Sequence, residues 1–319
     1  MIEKLLAPLL HRTGIYRRRW DRESWSMVLC YHRVCASPNE NRDRFGVERG
    51  VPLGTLQSQM CFMLEHFKPA HVHELLRPTK QNRFAVTFDD GYKDTRSLAA
   101  PLLRSLGIPA TVYVCPRWVG SNRIYWWEHL GHIFRRCRAL PRTLPGVPES
   151  LPRNRAAAYD RASDLLRGRR QSEIDDILDA MKLLPGIDSI PRRDVELLDW
   201  DDLAAMQRTG WAIGAHGMTH ANLAAASAEE AADDIRNSFN AISSVLGRRP
   251  YSFSWPYGAY RLDTDELLHS TQAECAVSTA RGVITTSSPR WRLPRIQLTR
   301  AASFAWAFQV ETARRAGSG

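Results

Sequence analysis

The 319-residue chain carries 44 basic and 34 acidic residues, a formal net charge of +10, and 44% of its residues are hydrophobic, as in ordinary globular proteins. Its six cysteines include no CxxC pair and are too sparse for a disulfide scaffold, and no apolar run approaches the roughly 18 residues that span a bilayer. No helix-turn-helix, zinc-finger or RNA-binding signature is present, so nucleic acid is not an expected partner.

Residues 1–25 form a basic amphipathic segment. Its apolar residues share one helical face ahead of an arginine cluster, and they are Ile2, Leu5, Leu6, Leu9 and Leu10. Such a helix either lies on an anionic membrane surface or packs on the core of its own domain. The segment lacks the order of a signal peptide. We therefore expect a cytoplasmic protein with peripheral contact at the inner membrane face.

The arginine-rich composition has two readings. Only five of the 44 basic residues are lysine. This excess reflects either the codon bias of a GC-rich genome or attraction to an anionic partner such as membrane headgroups or a lipid pyrophosphate.

Strands and helices alternate along most of the chain. The first elements predicted are strands at 26–32, 84–88 and 109–115, with helices at 55–67 and 95–107. After an insertion, the same alternation predicts helices at 200–210, 227–247, 263–272 and 301–315 and strands at 211–216, 251–258, 275–279 and 290–298. Such an order predicts an α/β protein with a closed or nearly closed (β/α) barrel over residues 26–315.

The insertion covers approximately residues 116–199. Its pattern predicts two helices, near 126–139 and 154–182, joined by a proline-rich loop. We interpret this insertion as a lid over the barrel.

Polar residues with catalytic chemistry follow the predicted strands. His32 ends the first, Asp89 and Asp90 end the second, and His216 ends the strand at 211–216, with His220 four residues later. Catalytic groups of barrel enzymes gather at the carboxyl ends of the strands. The recurrence from strand to strand favours one shared site over scattered surface polarity.

The spacing of His216 and His220 suits a metal site. On a helical turn, side chains at i and i+4 converge on one ion, and one carboxylate completes the face. Position 217 is glycine, so the HExxH protease motif is absent. A pair of histidines alone would more often be a chance surface pair, but the aspartates at another strand end reverse that preference.

Asp89 and Asp90 are adjacent like charges at the end of a hydrophobic strand. Neighbouring carboxylates are costly to desolvate, so a fold tolerates them mainly beside a cation or for proton transfer. We expect Asp90 to be a metal ligand and Asp89 to act as general base on the attacking water. The alternative is an Asp-Asp-Gly surface turn.

Four stretches resemble the NodB-type polysaccharide deacetylases of carbohydrate esterase family 4. They are TFDDGYKD (87–94), HGMTH (216–220), SWPYGAY (254–260) and VLCYHRV (28–34), the last similar to a YHRV-like bacterial branch. The resemblance implies a distorted (β/α)7 barrel and metal-dependent hydrolysis of an N-acetyl group on a sugar. It implies a divalent metal, zinc in the first place with cobalt, nickel or manganese as alternatives.

The resemblance also implies roles for individual residues. Asp90, His216 and His220 hold the metal, Asp89 is the base, and the backbone N–H of Tyr257 binds the oxyanion. This chain lacks the family's arginine before PYG and its late Leu-x-His. The resemblance to the YHRV-like branch implies that the histidine at the end of the first strand, here His32, supplies the general acid. Arg295 is the candidate that replaces the missing arginine and orients Asp89, with a plain surface arginine as the alternative.

Aromatic residues are the candidates for sugar binding. Trp255 and Tyr257 stand at a strand end, and Trp126 and Trp127 stand in the insertion. We predict that they stack on sugar faces, against the alternative of packing at the barrel rim.

The predicted reaction is deacetylation of an N-acetylated amino sugar in a surface glycan or its lipid-linked precursor. Two alternatives stay open: a deformylase acting on a lipid-linked aminosugar, and a catalytically silent glycan-binding barrel.

Overall fold

The computed structural model describes residues 25–38, 50–77, 79–189 and 195–298. The predicted amphipathic segment (apart from Trp25) and the predicted helix 301–315 lie outside the described residues. Within the described part of the chain, no helix combines the length and the apolar character needed to cross a membrane.

Seven parallel strands close into a barrel. Each strand pairs with the next along the chain, and the last pairs with the first. They are β1 (Ser26–Tyr31), β2 (Arg83–Phe88), β3 (Ala110–Val114), β4 (Ala212–Ala215), β5 (Ser252–Ser254), β6 (Cys275–Arg281) and β7 (Leu293–Gln297). The pairing is uneven: six residue pairs join β1 to β2, whereas Phe253 and Ala215 alone join β5 to β4. The predicted distorted (β/α)7 barrel is confirmed.

Continuous apolar runs explain these strands. All six residues of β1 and five of the six in β2 are buried, as expected where helices cover a parallel sheet. Five short strands accompany the barrel. Three lie at Val34–Cys35, Val51–Pro52 and Lys68–Pro69, and two pair with each other within the insertion, at Thr143–Leu144 and Val147–Ser150.

Eight α-helices are present among the described residues. They are α1 (Leu53–His66), α2 (Ala100–Ser105), α3 (Trp126–Arg136), α4 (Arg155–Arg167), α5 (Gln171–Lys182), α6 (Trp200–Arg208), α7 (Ala228–Leu246) and α8 (Asp265–Ser270). A π-helical turn at Thr95–Ala99 leads into α2. Helix α7 begins with a capping box, in which Ser227 Oγ accepts from Glu230 N and Glu230 Oε2 accepts from Ser227 N.

The insertion contains three helices, so the prediction of one helix over 154–182 is wrong. Helix α4 ends at Arg167 and is followed by Gly168, and α5 begins after Arg170, whose N–H donates to Glu173 Oε2 at 3.0 Å. Glycine at the end of one helix and a glutamate in the first turn of the next explain the break.

The insertion also has its own hydrophobic core. Helices α3, α4 and α5 bury a cluster separate from the barrel core, which includes Trp127, Phe134, Tyr159, Leu166, Ile174 and Leu178. Tyr92 and Cys115, which follow β2 and β3, belong to the same cluster. The insertion is therefore packed against the carboxyl ends of the strands, where the predicted site lies.

Candidate active site

Asp90, His216 and His220 converge at the carboxyl ends of β2 and β4. The Oδ1 atom of Asp90 lies 3.5 Å from His216 Nε2 and 3.3 Å from His220 Nε2. All three side chains are buried. Two imidazole nitrogens and one carboxylate oxygen thus face a common point, and their ligand atoms lie within 4.8 Å of one another.

The hydrogen bonding of this cluster fits a metal ion. His216 Nδ1 lies 2.7 Å from the Ser254 carbonyl oxygen, which only accepts, so Nδ1 carries a proton and Nε2 is the ring nitrogen that faces Asp90. Burial lowers the pKa of His220, despite the nearby Asp90, and favours its neutral form. Asp90 Oδ1 is buried without a hydrogen-bond partner among the described residues. A divalent cation would satisfy all three groups.

The two histidines do not lie on a helical turn as expected. His220 has a φ of 63°, and Gly217 between them has a φ of 69°. Asp90 (φ 72°) and Tyr257 (φ 58°) are left-handed as well, so three of the four non-glycine residues of this kind in the described chain belong to the site. Such backbone is costly and typically persists where the surrounding structure enforces it for function.

Asp234 of α7 supports the loop that carries both histidines. Its Oδ1 accepts from Met218 N at 2.7 Å, and its Oδ2 accepts from Thr219 Oγ1 at 3.4 Å. A Cβ on Gly217 would lie 2.5 Å from Asp234 Oδ1. Glycine at this position therefore leaves room for the Asp234 carboxylate.

Asp89 stands beside the cluster and is held by Arg295. The guanidinium of Arg295 donates to Asp89 Oδ1 at 2.8 Å and to Oδ2 at 2.7 Å, and its Nε donates to the Ser278 carbonyl at 2.8 Å. Burial by itself would raise the pKa of Asp89, but Arg295, together with His216 and His32, outweighs burial and lowers it to about 2. The alternative of a surface arginine is wrong, because Arg295 is 2% exposed.

His32 follows β1 and lines the same cavity as Asp89. Its ring nitrogen, the Cys30 sulfur and an Asp89 oxygen lie within 4.8 Å of one another. Burial raises the pKa of the Cys30 thiol, so this sulfur is a neutral neighbour. His32 therefore lies beside Asp89 and shares one cavity with Asp90, His216 and His220.

Tyr257, Trp126 and Trp127 form an aromatic wall around His220. The His220 ring meets Tyr257 and Trp127 edge to face, at centroid distances of 4.5 and 4.8 Å. Trp126 Nε1 donates to the Tyr257 hydroxyl at 2.8 Å. These three residues line the cavity, as predicted for sugar-binding residues, and their stacking role stays a prediction.

Trp255, the remaining aromatic candidate for sugar binding, is almost completely buried. Its side chain is 1% exposed, and its indole Nε1 donates to the Trp291 carbonyl at 2.7 Å. Its ring also packs edge to face on Phe253, with centroids 5.0 Å apart. Trp255 also lines the cavity, but burial to this extent favours the alternative of packing at the barrel rim. Its stacking on a sugar stays a prediction.

Buried ion pairs fix the insertion to the barrel. Arg33, next to His32, donates to Asp94 Oδ2 at 2.8 Å and lies 3.5 Å from Glu128 Oε1 of α3. Tyr92 donates to the same Glu128 oxygen at 2.8 Å, and Trp127 donates to the Tyr92 hydroxyl at 2.8 Å. This network favours a fixed wall over the lid expected from the sequence.

A cavity of about 1040 Å³ opens above these groups and is lined by both the barrel and the insertion. Its floor holds His32, Asp89, Asp90, His216 and His220. An aspartate–histidine–histidine cluster beside a second, arginine-held aspartate, at the strand ends of a (β/α) barrel, is an arrangement that suits metal-assisted hydrolysis.

The family model for polysaccharide deacetylase matches residues 76–276. The chain belongs to this family, the NodB-type deacetylases of carbohydrate esterase family 4, and is accordingly a hydrolase of amide bonds in glycans. No curated protein sequence matches the chain.

Solved structures share the fold at low identity. The deacetylase PplD of Streptococcus pyogenes, solved with acetate, has a TM-score of 0.60 at 15% identity, over 90% of this chain and 98% of that one. IcaB from Ammonifex degensii has a TM-score of 0.55 at 16% identity, over 89% and 97%. A de-N-acetylase from Aggregatibacter actinomycetemcomitans has a TM-score of 0.56 at 15% identity, over 88% and 98%.

Proposed function

We propose that this protein removes the acetyl group from an N-acetylated amino sugar in a surface glycan or its lipid-linked precursor. Asp90, His216 and His220 would hold a divalent metal, zinc in the first place. The observation that carries this proposal is the pairing of a ligand cluster with a separate carboxylate, Asp89, which Arg295 holds in one orientation at 2.7 and 2.8 Å.

The metal, when bound, would polarise the acetamide carbonyl and increase the acidity of water at the site. Asp89 accepts the proton of the attacking water, because its carboxylate faces the cavity and is kept ionised by Arg295. Tyr257 lines the cavity on a left-handed turn, and its backbone N–H would donate to the oxyanion.

His32 would donate a proton to the departing amine, which leaves poorly unless it is protonated. An imidazole exchanges protons near neutral pH, and His32 lies within 4.8 Å of the Asp89 carboxylate. This arrangement gives the base and the acid separate side chains on neighbouring strands.

His32→Ala should lower kcat by about 10²–10⁴-fold, because general acid catalysis is lost while the metal ligands stay in place. Steady-state deacetylation and the metal content of the purified variant provide the measurement. The exposed His269 offers a matched control, in which His269→Ala leaves kcat unchanged. Full activity of His32→Ala would exclude His32 from the reaction.

The proposal is tested by incubating zinc-loaded protein with acetylated and formylated amino-sugar lipids and oligosaccharides. Release of acetate is expected. Release of formate alone would make the protein a deformylase. If neither is released, and a chromogenic acetyl substrate is not cleaved either, the proposed activity is wrong.

A further inference from the structure

Helix α4 of the insertion presents a polar face to the cavity. Five of its residues line that cavity together with the Asp90–His216–His220 cluster. They define what we call the α4 face: Tyr159, Asp160, Ser163, Asp164 and Arg167. Their spacing follows successive helical turns, so they share one side of the helix.

Ser163 is a buried hydroxyl without a partner. The residue is 3% exposed, and its Oγ makes no hydrogen bond with any group in the described ranges. Other buried or half-buried helical serines bond back to their own helix, as Ser238 does to the Ile235 carbonyl at 2.7 Å and Ser243 does to the Phe239 carbonyl at 2.7 Å. An unpaired buried hydroxyl is unfavourable, so Ser163 is a place where a ligand group gains a hydrogen bond.

The carboxylates of the α4 face determine which ligand groups fit. Asp164 pairs with Arg167 at 2.9 Å, whereas Asp160 has no hydrogen bond or ion pair within the part of the chain that the structure describes. An ionised carboxylate only accepts hydrogen bonds. The ligand must therefore donate, as sugar hydroxyls, amides and ammonium groups do, and an anionic group next to Asp160 is disfavoured.

The α4 face is fixed close to the reacting end of the cavity. Asn222, two residues after His220, donates its Nδ2 to the Arg167 carbonyl oxygen at 3.1 Å. The cavity that both regions line measures about 1040 Å³, slightly above the roughly 300–1,000 Å³ usual for ligand sites. This space exceeds what a single sugar ring requires.

We propose that the α4 face is a saccharide subsite that binds the unit next to the one being deacetylated. Hydroxyl or amine groups of that unit would donate to Asp160 and Asp164 and pair with Ser163 Oγ. The substrate class is then an oligosaccharide that is neutral or cationic at this unit. The assignment of the reacting unit to the barrel end rests on the proposed function.

The test compares three zinc-loaded proteins: the wild type, Asp160→Ala/Ser163→Ala, and a control, Asp176→Ala/Ser172→Ala. Asp176 and Ser172 are exposed on the adjacent α5 and do not line the cavity. Calorimetry measures the Kd of N-acetylglucosamine and of its β-1,4- and β-1,6-linked tetramers. For the tetramer that the wild type binds more tightly, the Kd should rise about tenfold in the first variant, with the monomer unchanged.

Two results would overturn the subsite. One is an unchanged tetramer Kd in Asp160→Ala/Ser163→Ala with wild-type circular dichroism. The other is a wild-type protein that binds monomer as tightly as both tetramers. Because a Kd is obtained whether or not acetate is released, a tetramer that binds but releases no acetate contradicts the proposed function and leaves the subsite standing.

Discussion

Asp89→Asn should lower kcat for deacetylation by about 10²–10⁴-fold while the protein still binds its metal. An amide cannot accept the proton of the attacking water, and general base catalysis contributes a factor of this size. Metal binding should persist because Asp90, His216 and His220 are unaltered. The measurement is acetate release at saturating substrate, with metal content determined on the same sample.

A control must separate this chemical loss from a loss of stability. In Asp89→Asn the buried Arg295 guanidinium has no counter-charge, which costs about 3–5 kcal/mol. The double variant Asp89→Asn/Arg295→Met removes that unpaired charge and should regain thermal stability but no activity. Recovery of kcat in the double variant would show that Asp89 supports the fold and is not the base.

The fold was predictable from local pattern. Strand β1 and strand β2 are continuous apolar runs, and α7 carries its start signal in Ser227 and Glu230. Strand–helix alternation then leaves few topologies other than a barrel or an open parallel sheet. The insertion was harder, because the break between α4 and α5 depends on a capping glutamate inside one long helical pattern.

The site was predictable in part, because parallel strands bring their carboxyl ends together. Asp90 and His216 come from strands far apart in sequence, and their convergence follows from the barrel alone. Asp234 and Glu128 gave no local signal, since each pairs with a loop distant in the chain. The burial of Trp255 likewise depends on its contact with Trp291, which no spacing rule reveals.

Removal of divalent metal should lower acetate release by on the order of 10³-fold or more. A bound cation supplies several kcal/mol of transition-state stabilisation. Two groups of side chains in the described part of the chain bring three possible ligand atoms close together. In the group of Cys30, His32 and Asp89, the carboxylate is already paired with Arg295. Asp90, His216 and His220 are therefore the group that offers such an ion a suitable donor set. Activity should return on addition of zinc, cobalt, nickel or manganese.

The variant His220→Gln assigns this effect to the proposed ligands. It keeps a polar side chain of similar size in the aromatic wall, yet metal affinity should fall at least about tenfold, because one of three protein ligands is lost. His269→Gln, on the exposed end of α8, is the matched control and should retain wild-type affinity. Equal metal affinity of the two variants would place the metal elsewhere. Turnover that a chelator leaves intact would remove the metal from the reaction.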